Sequence, residues 1–221
     1  MNCTGIILAA GASSRMKGTD KQLLSVGGIP VLLRSVMNFE NTVEVSEIII
    51  AAKQGMCDEI KELCKNAGVT KLKAVCEGGD TRGKSAEAAF AYAGETDVTL
   101  IHDGARPFSS PEIISAVIKA AYENGGAIAA VPVTDTIKCV KDGFIEATPD
   151  RSCLYGAQTP QGFKTELYRD MLSHGGDFTD DSQLAEAMGI KVKIVMGSYD
   201  NIKITTPEDI ARAEIIAGKE Q

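Results

Sequence analysis

The chain is poor in the residues from which metal centres and redox motifs are usually built. Its 221 residues include two histidines, His102 and His174, and six cysteines, Cys3, Cys57, Cys64, Cys76, Cys139 and Cys153. There is no CxxC pair, and neither histidine lies near a cysteine cluster, which argues against a zinc site. Several of the cysteines fall in apolar stripes, where a thiol packs as a small hydrophobe. Reduced thiols suit a cytoplasmic protein. No apolar run approaches the roughly 18 residues that a membrane span takes, and the first residues lack the apolar core of an export signal. The expected location is therefore the cytoplasm, with no membrane partner. Positive charge is also in deficit: 23 Lys and Arg stand against 30 Asp and Glu, a net charge of −7. Such a balance disfavours nucleic acid as a partner, and a site for phosphorylated ligands must gather its cations locally. No internal repeat, low-complexity tract or linker is visible, and the length fits one α/β domain over 1–221.

What the chain does have is alternation. Apolar runs of strand length at 5–10, 47–52, 71–76, 98–102, 127–133, 191–196 and 201–204 alternate with amphipathic helical stretches. Most of the runs are continuously apolar, as in strands covered on both faces. Ile60, Leu63, Cys64 and Ala67 form one helical stripe, and Ile113, Ile114, Val117, Ile118 and Ala121 form another. Pro30, Pro111 and Pro207 each open a helical stretch, where a missing N–H costs little. The pattern predicts an α/β, Rossmann-like fold with a mostly parallel, doubly wound sheet. One segment breaks the rhythm. Residues 136–140, a Lys141-Asp142-Gly143 turn and residues 144–147 read as a β-hairpin too short and polar for the sheet. It predicts an arm at about 134–153, either a plain surface hairpin or a dimerisation device.

"GGDTRGKS" at 78–85 fits G-x-x-x-x-G-K-[ST], the phosphate-binding P-loop, and stands between an apolar run and an alanine-rich helical stretch. Taken alone it proposes an ATP- or GTP-hydrolysing enzyme. Other stretches propose something else. "GIILAAGASSRMKGTDKQLL" is a strand, a small-residue turn and two cations. Ala9, Ala10, Gly11 and Ala12 let backbone N–H groups approach phosphate oxygens, and Arg15 and Lys21 add charge beside them. The turn would lie at the carboxyl end of the first strand, where open α/β sheets bind ligands; a plain βα turn with two solvated cations is the simpler reading. Only Gly11 is present, so this is not a dinucleotide fingerprint.

In "VTLIHDGARPF" an apolar strand ends in His102-Asp103-Gly104, with Arg106 just beyond. Asp103 is placed to orient Mg²⁺ on a nucleotide or, more plainly, to form a turn or cap; His102 reads as a packed residue rather than a base. "VPVTDTIK", "PDRSCLYGAQTPQGF", "FTDDSQLAE" and "YDNIKITTPED" add Thr136, Arg151, Thr159, Thr179 and Lys203. Each is weak alone, since "TDDSQ" and "TTPED" are also helix caps. Together they place hydroxyls and cations where a phosphate ester could dock. No Ser-His-Asp or Cys-His constellation is present.

Taken in order, "LAAGASSRM", "KQ", "GGDTRGKS", "HDGARPF", "PVTDTIK", "DRSCLYGAQTPQ", "TDDSQ" and "DNIKIT" run through nearly the whole chain. In these eight collinear motifs the sequence resembles the 2-C-methyl-D-erythritol 4-phosphate cytidylyltransferases of non-mevalonate isoprenoid synthesis. The resemblance implies a single-domain nucleotidyltransferase fold, a homodimer joined by the arm, and CTP with Mg²⁺. It implies transfer of CMP to methylerythritol phosphate by in-line attack on the α-phosphorus, with pyrophosphate leaving. It also implies roles. Arg15 and Lys21 would stabilise the triphosphate in the transition state, and Arg151 and Lys203 would position the acceptor. Ala9, Ala10, Gly11, Gly79, Asp80 and Ser85 would surround the nucleotide, and Asp103 would lie at the metal and α-phosphate. Arg106, Thr136, Thr159 and Thr179 would serve the acceptor side. In such an enzyme GGDTRGKS reads GG-x-x-R-x-x-S, and Lys84 falls on an unspecified position. Two departures stand out: a spacer from Arg15 to Lys21 one residue shorter than usual, and Ala86 where a larger aliphatic residue is common. The rivals are a ribitol 5-phosphate cytidylyltransferase or other sugar-phosphate nucleotidyltransferase of the same fold, the P-loop enzyme, and a silent nucleotide-binding regulator.

Overall fold

A computed structural model of the chain describes residues 1–11, 22–175 and 178–219. Arg15 and Lys21, on which the expected transition-state charge rests, lie outside the described residues. In chain order the elements begin with β1 (Cys3–Leu8), β2 (Ser25–Val26), β3 (Ile29–Pro30), α1 (Val31–Glu40), β4 (Val45–Ala52) and α2 (Cys57–Asn66). β5 (Leu72–Glu77), α3 (Arg82–Phe90), β6 (Val98–Asp103), α4 (Pro111–Asn124) and β7 (Gly126–Pro132) follow. Then come β8 (Cys139–Lys141), β9 (Phe144–Ala147), β10 (Tyr155–Lys164), α5 (Thr165–His174), α6 (Asp181–Ala187), β11 (Lys193–Met196) and α7 (Pro207–Lys219).

The central sheet has seven strands in the order β11-β7-β10-β6-β1-β4-β5. Only β10 runs antiparallel to its neighbours. Alternate side chains of β1 explain the two-sided cover: Cys3 and Ile7 pack among α1, α2 and α4, while Ile6 and Leu8 pack among α3, α5 and α6. Ile60 and Cys64 of the α2 stripe are buried, as are Ile114, Val117, Ile118 and Ala121 of α4. Val26, Phe108 and Ile204 form a third cluster with Ala213, Ile216 and Ala217 of α7.

Two sequence expectations change. Residues 201–204 form no strand. Their apolar side chains pack under α7, and the Ile204 N–H donates to the Ala105 carbonyl at 2.9 Å. Conversely, β10 is a central ten-residue strand that the sequence hides. Its Gly156, Pro160 and Gly162 argue against a sheet interior. Gly156 and Gly162 pair in register with β7, and the ladder accommodates Pro160 by breaking register between Ala157 and Gln161, so Gln158, Thr159 and Pro160 bulge out of it. The Thr159–Pro160 bond is cis.

The arm is present. β8 and β9 pair only with each other, through a two-residue turn whose Asp142 and Gly143 have φ of 49° and 82°. Positive φ at both central positions matches the turn whose twist suits a hairpin. No helix among the described residues is long and apolar enough to cross a membrane.

Candidate functional site

β1, β4, β5 and β6 all point their carboxyl ends toward one edge; the chain runs from β1 outward through β4 to β5, then crosses back to place β6 on the other side of β1. Open α/β sheets hold ligands at such a reversal. A cleft of about 490 Å³ lies there, between Ala10 and Gly11 after β1, Gly78–Ser85 after β5, Asp103 at the end of β6, and Lys203. Lys53 and Gln54 after β4 complete its rim, and Gln22 of the "KQ" motif lines it as well. Ala9 is buried behind, with its N–H on the Ala51 carbonyl at 2.7 Å.

The β5–α3 turn is held from within. The Gly79 N–H donates to Ser85 Oγ at 3.1 Å, and that hydroxyl reaches the Thr81 carbonyl at 2.9 Å. Thr81 caps α3 by accepting the Lys84 N–H. Gly78 has no room for a side chain, since a Cβ there would lie 2.4 Å from the Ala10 Cβ and 2.8 Å from Ser85 Oγ. The Gly78 backbone thus packs directly against the Ala10 side chain, bringing the two loops together at the cleft. This geometry overturns the P-loop reading. A P-loop wraps phosphate with the residues between its two glycines, but here Arg82 and Gly83 already belong to α3. Lys84 is exposed and its nearest charge partner is Asp80, at 3.9 Å.

Asp103 is the electrostatic centre. Its carboxylate is 2.8 Å from Lys203 Nζ, 3.6 Å from Arg82 Nε and 3.7 Å from Arg106 Nε. Burial would raise its pKa, but Lys203 and then the two guanidinium groups outweigh that and hold it well below the usual carboxylate range. Arg82 also bonds Asp181, the second acid of "TDDSQ". Burial opposes its charge, and the two carboxylates more than restore it. Asp181 in turn accepts the Tyr168 hydroxyl at 3.0 Å, while Asp180 caps α6.

Behind Asp103 stands a neutral relay. His102 Nε2 faces the Arg106 carbonyl at 3.0 Å, so this nitrogen must carry the proton. Nδ1 then accepts the Thr159 hydroxyl at 3.0 Å, and Thr159 Oγ1 accepts the Asp103 N–H at 3.0 Å. Burial lowers the His102 pKa to about 4 despite the neighbouring Asp103. It is a strut, not a base.

The expected residues therefore separate. Ala10, Gly11, Gly79, Asp80, Ser85, Asp103 and Lys203 meet in one cleft. Thr159 is buried in the wall, and Arg106 is half-buried beside Asp103. Thr136, Arg151 and Thr179 are exposed and do not line the cleft; Arg151 Nη1 bonds the Thr134 carbonyl at 2.7 Å, at the root of the arm. Reading the sequence overlooked Arg82 and Asp181. Both stand inside quoted motifs, and the signal was there: an arginine following two glycines, and a second acid after the capping one.

Residues 3–219 match the family model described as 2-C-methyl-D-erythritol 4-phosphate cytidylyltransferase. A protein of that name from Dehalococcoides mccartyi is 39% identical over 216 residues, covering 97% of this chain and 95% of its own length. One from Caldanaerobacter subterraneus is 42% identical over 231 residues, covering 99% and 100%. Among solved structures, the 4-diphosphocytidyl-2C-methyl-D-erythritol synthase of Anaerococcus prevotii superposes with a TM-score of 0.88 at 33% identity, covering 100% of this chain and 96% of that one. The cytidylyltransferase of Thermus thermophilus superposes with a TM-score of 0.81 at 30% identity, covering 99% and 100%. With its sheet order, its cleft and its sequence all in agreement over nearly full length, the chain belongs to the 2-C-methyl-D-erythritol 4-phosphate cytidylyltransferase family.

Proposed function

We propose that the cleft around Asp103 is where this chain performs its family's reaction. That reaction transfers CMP from CTP to 2-C-methyl-D-erythritol 4-phosphate and releases pyrophosphate. The observation that carries the reading is the cluster of Lys203, Arg82 and Arg106 on one buried carboxylate in a chain of net charge −7. The nucleoside lies along Gly78–Ser85 and the triphosphate over Ala10 and Gly11; by the family resemblance, Arg15 and Lys21 add the positive charge that stabilises it. Lys203 and Arg106 face the acceptor phosphate. An acceptor phosphate oxygen attacks the α-phosphorus in line, the bond to the bridging oxygen breaks, and pyrophosphate carries the electron pair away. The chain's own part is positioning and charge stabilisation.

Asp103 also fits a divalent cation, in one form only. No cluster of three or more acidic, His or Cys ligands occurs among the described residues, and Mg²⁺ commonly takes one or two carboxylates plus substrate phosphates. A bare dication would be repelled by the three cations at Asp103, whereas one carried by a triphosphate arrives with net negative charge and would be attracted. Bound there, Mg²⁺ would supply charge neutralisation at the phosphates.

Homodimerisation is part of the reading. An isolated two-stranded hairpin is marginal in water, yet β8 and β9 expose Val140, Phe144 and Ile145 by 60%, 78% and 65%. A second copy covering this face would bring Thr136 and Arg151 to the neighbouring cleft. Six free thiols fit the reducing cytoplasm. The test is pyrophosphate release: it should need CTP, methylerythritol phosphate and Mg²⁺ together. Arg15→Ala should lower kcat by about 10²-fold. Equal or faster turnover with ribitol 5-phosphate would reassign the acceptor.

A further inference from the structure

Asn201 is fully buried, although it sits in a segment that joins no sheet. Its Nδ2 donates to the Thr159 carbonyl at 3.0 Å and to Gln158 Oε1 at 3.2 Å. Its backbone carbonyl accepts Arg106 Nη1 at 2.8 Å. Gln158 is fixed in turn, because its Nε2 donates to the Ser198 carbonyl at 2.8 Å. That orientation leaves only its oxygen for Asn201, so neither amide can flip without setting acceptor against acceptor. Asn201 Oδ1 is buried with no hydrogen-bond partner, so the side chain is held there by its two donors alone.

Three stretches of chain meet on this one residue: the turn after β6, the bulge of β10, and residues 198–204. Each carries a residue of the acceptor side, namely Arg106, Thr159 and Lys203. Lys203 is two residues from Asn201, and the bonds that flank it are those of Asn201 to Thr159 and Arg106 and that of the Ile204 N–H to Ala105. We propose that Asn201 is a positioning residue for the transfer: it locks these three stretches into one unit and so sets where Lys203 and Arg106 meet the acceptor phosphate. The inference rests on the acceptor-side reading of those two cations. Its physical basis is that Lys203 hangs on a long, flexible stem, so the placement of its ammonium depends on the backbone beneath it. A displacement of about 1 Å at a positioned group costs on the order of 10²-fold in rate. A strand would hold that backbone by its ladder; here a few separate bonds do so, and on the β10 side of residues 201–204 the buried Asn201 amide makes them.

The experiment compares Asn201→Ala, Asn201→Ser and Lys203→Ala. It reads kcat and KM for methylerythritol phosphate, and separately the Kd for CTP with Mg²⁺ by calorimetry. Asn201→Ala should lower kcat/KM for the acceptor by about 10²-fold, while the CTP Kd stays within about twofold of wild type. Asn201→Ser keeps a donor toward the Thr159 carbonyl and should recover about fivefold over the alanine variant, as one neutral hydrogen bond allows. The inference is overturned if Asn201→Ala weakens CTP and acceptor alike, if it changes neither, or if serine does no better than alanine. Lys203→Ala should raise the acceptor KM; an unchanged value would strike the acceptor assignment of Lys203 itself.

Discussion

Arg82 and Asp181, 99 residues apart in sequence, form an ion pair between a half-buried guanidinium that lines the cleft and a buried carboxylate. The same guanidinium stands 3.6 Å from Asp103. Desolvating two charges costs several kcal/mol each, and only good geometry and further hydrogen bonds restore it. The Asp181 carboxylate gains a further bond from the Tyr168 hydroxyl, and its backbone is fixed by Gln161 Oε1, which accepts the Asp181 and Ser182 N–H groups at 3.0 and 3.1 Å. Removing one partner should therefore cost more than removing both. Asp181→Asn is expected to destabilise the fold by about 3 kcal/mol, and the double change with Arg82→Met by less. Urea denaturation of the four proteins of that cycle measures it. Additive losses would show that the two side chains act independently.

Ser85 and Lys84 are neighbours with opposite expectations. Lys84 is exposed, and its loss should leave stability within about 0.5 kcal/mol and the KM for CTP near wild type. The Ser85 hydroxyl is buried and ties Gly79 to α3. Without it the Gly79 N–H loses its partner beside the nucleotide. Ser85→Ala should weaken CTP binding by about 1 kcal/mol, roughly a fivefold rise in KM. Steady-state kinetics on both variants decide the ranking; an inactive Lys84→Ala enzyme would contradict the geometry of the turn.

The parallel strands are legible in the sequence because both faces are covered, which leaves continuous apolar runs such as Ile48 to Ala52. The hairpin is legible through Asp142-Gly143. β10 is not, because Gly156 and Gly162 weaken its strand signal although they stand in the ladder, and Pro160 belongs to the bulge with Gln158 and Thr159. Residues 201–204 mislead for the converse reason: Ile204 is fully buried, but against α7. At the site, the loops and Asp103 can be read because their small residues and acid fall at the carboxyl ends of legible strands, where open α/β sheets bind ligands. Arg82 and Asp181 show only as members of their motifs, because their pairing across 99 residues is encoded by no local pattern; Asn201 cannot be read at all, since its partners Thr159 and Gln158 are more than 40 residues away.

The arm makes a prediction about assembly. Phe144 and Ile145 are the apolar tip of a hairpin with no core of its own. Replacing both with Lys should leave the seven-stranded sheet folded but convert a dimer to monomer in sedimentation at assay concentration. If Arg151 and Thr136 complete the neighbouring cleft, kcat/KM for the acceptor should fall with the dimer. A wild-type chain that is monomeric and fully active would refute the role given to the arm.

The last prediction concerns acid. His102 is fully buried, and burial lowers its pKa from 6.5 to about 4. Its ordinary value applies once the chain unfolds. Between those two values the unfolded state binds a proton that the folded state refuses, so stability must fall as pH falls through that window. The contribution is fully present above about pH 6.5 and gone below about pH 4, and it amounts to about 3 kcal/mol. Asp103 acts with the same sign but lower, because its folded pKa lies below its unfolded one of 3.8. The two are therefore separable by pH. His102→Asn should be less stable than wild type at pH 7.5, having lost the bonds to Thr159 and the Arg106 carbonyl, but its stability should change little between pH 6.5 and 4.5. Urea denaturation at those pH values measures both slopes. Equal slopes in the two proteins would mean that some other group titrates there and that His102 is not held neutral by the fold.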